Sequence, residues 1–109
     1  MPKYLNGYFL QVSRHVFRNK TFLNLSDSAK WLYFVLKEVE HQFSGTNEDF
    51  FYRSNEDLAK DCDWNLRKLN RIKQELIASG LIQTWQMHWI DKETGKKSER
   101  HITAYRLSF

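Results

Sequence analysis

The stretch from Ser54 to Gly80 constrains this chain most, because two helical segments are punctuated there so closely that only a tight turn can join them. Ser54 is followed three residues later by Asp57, the spacing of a capping box, in which the hydroxyl accepts a free backbone N–H at a helix start. A short helix over Asn55–Asp61 is expected, with Leu58 and Ala59 turned inward. Asp63-Trp64-Asn65 interrupts it. Asn65 can cap the next helix, and Trp64 and Leu69 fall at the two positions of a hydrophobic staple, which sets the angle at which that helix leaves the turn. The second helix is predicted over Leu66–Ser79, with Gly80 supplying the left-handed residue that ends it. Leu69, Ile72, Leu76 and Ile77 form its inward stripe.

The flanking segments supply the layers such a pair needs. Gly7–Val12 reads as a short extended segment and His15–Lys20 as a turn of helix. Ser26 is a good N-cap, and Asp27 suits the positive end of the helix dipole. Ala29, Leu32, Tyr33, Leu36 and Val39 then recur at helical spacing, with Phe43 one turn further and a stop expected near Ser44-Gly45. Trp31, Phe34 and Val35 widen that stripe, so this helix is either central to the core or turns a second face to a partner. Phe50–Arg53 is a short strand candidate. Beyond Gly80, a strand from Leu81-Ile82 to about Ile90, a loop over Asp91–Lys97 containing Thr94-Gly95, and a returning strand over Glu99–Leu107 make a hairpin. Ile102 and Tyr105 are able to pack. Trp85 and Trp89 share one face by parity, and core packing is the expectation for them. The order strand, helix, strand, helix, helix, strand, strand describes an α+β domain.

Composition narrows the function classes. The 109 residues suit one domain, and 41% hydrophobic with 28% charged residues fits a globular chain. Eight Phe, five Tyr and four Trp let a small core bury much apolar area. No apolar run approaches the roughly 20 residues of a membrane span, and the N-terminus has no apolar h-region of a signal peptide. The single cysteine, Cys62, excludes an internal disulfide framework, reads as a small buried hydrophobe and suits a cytoplasmic protein. His15, His41, His88 and His101 lack metal-ligand spacing, although His88 and His101 could face each other across the hairpin. With no Gly-rich phosphate loop and no nucleophile elbow, neither an enzyme nor a cofactor is expected. Glu38, Glu40, Glu48 and Asp49 read as solvated surface.

Charge is distributed by segment. Residues 1–25 carry four bases and no acid, residues 26–64 nine acids against four bases, and residues 65–109 nine bases against four acids. The basic C-terminal half implies a field directed at a polyanion. The outer face of the second helix carries Arg67, Lys68, Asn70, Arg71 and Gln74, residue types that bond to phosphates and base edges. Arg67 and Lys68 oppose the dipole in the first turn, a local conflict that argues for function over stability. Lys92, Lys96, Lys97 and Arg100 surround the hairpin tip, where they suit phosphate contact. An α-helix fits the major groove of duplex DNA, and a hairpin can lie along the adjacent backbone.

Residues 51–82, with Leu58-Ala59, the capped turn Trp64-Asn65, the basic helix Leu66–Ser79 and the closing Gly80-Leu81-Ile82, resemble bacterial winged helix-turn-helix domains. Tyr8-Phe9 through Phe17, Leu25-Ser26 and Ala29-Lys30-Trp31-Leu32-Tyr33 are similar to the N-terminal domain of plasmid and phage replication initiators. Cys62-Asp63-Trp64 departs from the commoner glycine-containing turn. The resemblance implies a three-helix core with a C-terminal β-hairpin wing, and origin or operator binding, often as a dimer or in arrays. The expectation is one winged helix domain over residues 1–109. An N-terminal strand or arm covers 1–24, the helical core 25–82 with the helix-turn-helix at about 54–80, and the wing 81–109. It would bind double-stranded DNA sequence-specifically, in replication initiation or transcriptional regulation, through Arg67, Lys68, Asn70, Arg71, Gln74, Lys96, Lys97 and Arg100, and possess no membrane segment. A protein–protein interaction module on the same scaffold is the rival. Any replication role would need recruited enzymes or a longer parent protein.

Overall fold

Side-chain caps start each of the longer helices among the described residues. The computed structural model describes residues 12–42, 49–90 and 92–108, and only the backbone of residues 89 and 97–100. A 3-10 turn at Arg14–Arg18 leads into the four-residue helix α1, Lys20–Leu23. The Asn19 side chain starts α1 by accepting from the Phe22 N–H at 2.9 Å. The arm expected over residues 1–24 thus holds two short helical turns near the one expected at His15–Lys20, the first started by the Ser13 side chain and the second by Asn19. Phe22 enters the core edge-on against Tyr33 and Phe34, with ring centroids 5.4 and 5.8 Å away. The strand expected at Gly7–Val12 lies outside the described residues except for Val12, which packs against the core.

Helix α2, Asp27–Gln42, begins where Ser26 Oγ accepts from Ala29 N–H at 3.1 Å. It buries Ala29, Leu32, Tyr33, Val35, Leu36 and Val39, the expected stripe widened by Val35. Phe34 is half-buried, whereas Trp31 is half-exposed with its indole N–H donating to the Cys62 carbonyl at 3.3 Å. Phe43 and the stop expected at Ser44-Gly45 lie outside the described residues.

Helices α3, Asn55–Cys62, and α4, Leu66–Ala78, form the tight pair. Ser54 Oγ accepts from Asp57 N–H at 3.1 Å and Asn65 Oδ1 from Lys68 N–H at 2.8 Å, as their spacing implies. Helix α3 runs one residue longer than expected and α4 one shorter, with Ser79 as its C-cap and Gly80 in the left-handed region at φ 81°. In the turn that lacks glycine, Asp63 itself takes the left-handed conformation, φ 62° and ψ 43°. Aspartate tolerates that region better than most residues but still bears a steric cost that glycine does not.

Three antiparallel strands complete the domain: β1, Phe51–Arg53; β2, Ile82–Ile90; and β3, Lys97–Leu107, in the order β1-β3-β2. Strand β3 starts two residues earlier than expected, because Lys97 already pairs with Ile90. Phe51 stacks on its partner Tyr105 at 5.5 Å, and both are buried beneath the helices with Ile82. Arg53 binds Asp61 through two 2.8 Å bonds and so ties β1 to α3.

The core placement expected for Trp85 is corrected. Thr84 pairs with the inward Tyr105, so the next residue points to the other face of the sheet. There Trp85 packs edge-on against Phe50 at 5.5 Å, with the Arg106 guanidinium 5.2 Å from its ring centre. The Trp89 side chain lies outside those described.

Together these elements form an α+β winged helix: α2, α3 and α4 make the three-helix core, and β2 with β3 makes the wing hairpin. Replacing Asp63 by Gly should relieve the turn and stabilise the domain by about 0.5–1 kcal/mol. A thermal melt would register this as a rise in Tm of roughly 2–8 °C.

Candidate nucleic-acid interface

Helix α4 has thirteen residues and two tasks. Leu69, Ile72, Lys73 and Leu76 face the core. Ile77, expected among them, is half-buried at the edge of that stripe and packs against the core from there. On the opposite side Arg67, Asn70, Arg71 and Gln74 are exposed. Lys68 departs from this group. It is half-buried, and its ammonium lies 4.9 Å from the centre of the Trp64 ring, where cation and aromatic face attract. Asn65, Arg67, Lys68 and Arg71 line an open cleft of about 420 Å³ at the start of the helix. A site of this shape, with no acid in the first turn of α4, suits an anion.

Lys73 is a core residue that its charge disguises in the sequence, although it lies four residues after Leu69 and three before Leu76, on the inward side. It is only 7% exposed. Its ammonium donates to Asn55 Oδ1 at 2.8 Å and sits 5.2 Å from the centre of the Tyr105 ring. The contact joins α4 to the first residue of α3 and to β3. Burial lowers the Lys73 pKa to about 8. Burial also raises the Tyr105 hydroxyl well above its ordinary value, and that hydroxyl has no hydrogen-bond partner among the described residues.

Glu75 is the only acid of α4. Its carboxylate turns aside to the start of α2, where Oε2 accepts from Ser26 N–H at 2.8 Å and Oε1 from Ser26 Oγ at 2.7 Å. The backbone bond first and the hydroxyl second hold this carboxyl below its usual pKa. Arg67 and Arg71 enter no ion pair among the described residues.

At the wing tip Lys92 and Lys96 are exposed in a loop where Gly95 has φ 69° and Thr94 Oγ1 accepts from Lys96 N–H at 3.3 Å. Lys97 and Arg100 belong to β3, but their side chains lie outside those described. His88 and His101 face each other as expected, ring centroids 5.6 Å apart. Among the described residues no three His, Cys, Asp or Glu side chains gather where they could hold a metal ion. Cys62 is buried as expected, and its thiol is pushed up to about 12 by that burial and then by Asp61. No helix among the described residues is long and apolar enough to cross a membrane.

No family model and no curated protein matches the sequence. Solved structures share the fold, among them two at 21% identity. One is the N-terminal domain of a DNA-binding protein, with TM-score 0.64 and 21% identity, covering 97% of this chain and 78% of that one. The other is a chain from a Rep–DNA complex, with TM-score 0.61, 21% identity and the same coverages. The winged helix thus rests on both the strand and helix order and its likeness to solved domains.

The unfolded chain keeps the Lys73 proton up to its ordinary pKa of 10.5, whereas the folded chain releases it near 8. Between these values the unfolded state binds more protons, so this group makes stability rise with pH across that window. Urea melts from pH 7.5 to 10.5 should show a rise in wild-type stability, relative to Lys73→Met, that continues across the range and slackens only near its top. Parallel pH profiles would contradict the assignment.

Proposed function

We propose that this domain binds double-stranded DNA sequence-specifically, with α4 in the major groove and the wing along the backbone. The observation that carries the reading is the cationic face of α4: Arg67 and Arg71 are exposed and enter no ion pair among the described residues, beside Asn70 and Gln74. Arginine bonds the O6 and N7 atoms of guanine, and asparagine or glutamine bonds adenine. Lys96, Lys97 and Arg100 would hold phosphates from the wing, while Lys68 would reach a phosphate by leaving or extending from Trp64. The solved domains of the same fold, one from a DNA-binding protein and one from a Rep–DNA complex, support the same partner.

The role we favour is replication initiation on a plasmid or phage, with transcriptional regulation the nearest alternative. The domain would work without cofactor or catalysis in the cytoplasm, as a homodimer if its operator is an inverted repeat. One feature favours a protein partner as a second reading: Trp31, Phe34, Val35 and Val39 line an apolar groove on α2, edged by Glu38 and Asp61.

Selection from a random duplex pool, followed by salt titration, tests the proposal. A DNA binder loses affinity steeply as salt rises because counterions are released, whereas an apolar protein contact hardly responds. Arg71→Ala should weaken the selected duplex by about 1–3 kcal/mol and relax the sequence preference. Lys96→Ala should weaken selected and scrambled duplexes about equally. Unchanged affinity in both variants would overturn the interface.

A further inference from the structure

Arg71 and Glu75 are four residues apart on one helix, the spacing at which opposite charges meet on its surface. Left alone, that carboxylate would lie within reach of the guanidinium and compete with any DNA ligand. It would also bring a negative charge toward the phosphates. The structure keeps the two apart. Both Glu75 oxygens are occupied by Ser26, one by the backbone N–H and one by the hydroxyl. Ser26 lies 49 residues earlier in the chain, at the start of a different helix. The same hydroxyl oxygen accepts from Ala29 N–H, so it caps α2 and restrains Glu75 at once. Arg71 is left exposed, with no ion pair among the described residues.

We infer that Ser26 is a positioning residue for DNA recognition: by holding the only acid of α4 against α2, it keeps Arg71 free to contact the duplex. The inference rests on the reading of α4 as the DNA-contacting helix. Ser26 itself need not touch DNA. Its effect passes through Glu75 to Arg71.

A double-mutant cycle on the full chain separates this role from a structural one. The probe is the duplex selected by the wild-type protein, with a scrambled duplex as control. Ser26→Ala removes the hydroxyl bond and keeps the backbone N–H bond, so it should weaken binding to the selected duplex by about twofold, the size of a helix ion pair. Glu75→Gln in the wild-type background should leave affinity unchanged, because the acid is already restrained. Ser26→Ala with Glu75→Gln should recover wild-type affinity, although the lost cap still lowers Tm. Ser26→Thr, which keeps the hydroxyl, should bind as wild type does. Ser26→Asp retains a cap for α2 while repelling the carboxylate, so it repeats the test if the alanine variant folds poorly, with Glu75→Gln again restoring affinity.

Equal affinity of wild type and Ser26→Ala, or a double variant as weak as the single, would overturn the inference while leaving DNA binding intact. Absence of any salt-sensitive duplex binding by the wild-type protein would instead overturn the DNA reading on which it rests.

Discussion

Everything in this domain depends on how α4 is seated. A helix of thirteen residues must bury enough of one side to be held rigidly and leave enough of the other to meet a ligand. Leu69 and Leu76 are fully buried and provide the apolar anchor. Burying a leucine or isoleucine side chain is worth about 1.5–3 kcal/mol, so these two residues and the buried Ile72 supply most of the apolar docking of the helix. Polar contacts then set its orientation. Lys73 reaches Asn55 on one flank, and Glu75 reaches Ser26 on the other. The helix is thus tied to α3 and α2 by its own charged side chains, while Arg67 and Arg71 stay exposed.

The tie through Lys73 has a cost that the apolar anchor lacks. An ammonium taken from water loses hydration, and one hydrogen bond with one aromatic face replaces it only in part. A hydrophobic residue of similar length would pack there at less cost. What lysine adds is direction: a donor that fits only when the first turn of α3 and the ring of Tyr105 are both in place. The left-handed Asp63 is a second local compromise in the same helix pair. Both lie within the unit that presents Arg67 and Arg71, where geometry matters more than stability.

Local chemistry was legible in the sequence where a few neighbouring residues decide the outcome. Ser54, Asn65 and Gly80 bound the two helices as their caps imply, because a cap is settled within one turn of chain. The buried stripe of α2 and the exposed Arg67, Asn70, Arg71 and Gln74 followed from helical period. Features decided by distant partners were not legible. Trp85 was expected in the core because it is large and apolar, but its face follows from the pairing of Thr84 with Tyr105. Lys68 carries the charge of a DNA contact yet rests on Trp64. The inward angle of Lys73 follows from its spacing, but its charge points the other way, and only the distant Asn55 makes its burial tolerable. No pattern within either helix could reveal that Ser26 and Glu75 meet.

The central claim is that the ligand is met by the start of α4 and the wing tip. Mapping amide chemical-shift changes as a selected duplex is added tests this most directly. Changes should concentrate at residues 65–74 and 92–96, with the Trp31 indole N–H unaffected. Changes gathered instead around Trp31 and Phe34 on α2, with the start of α4 silent, would contradict it.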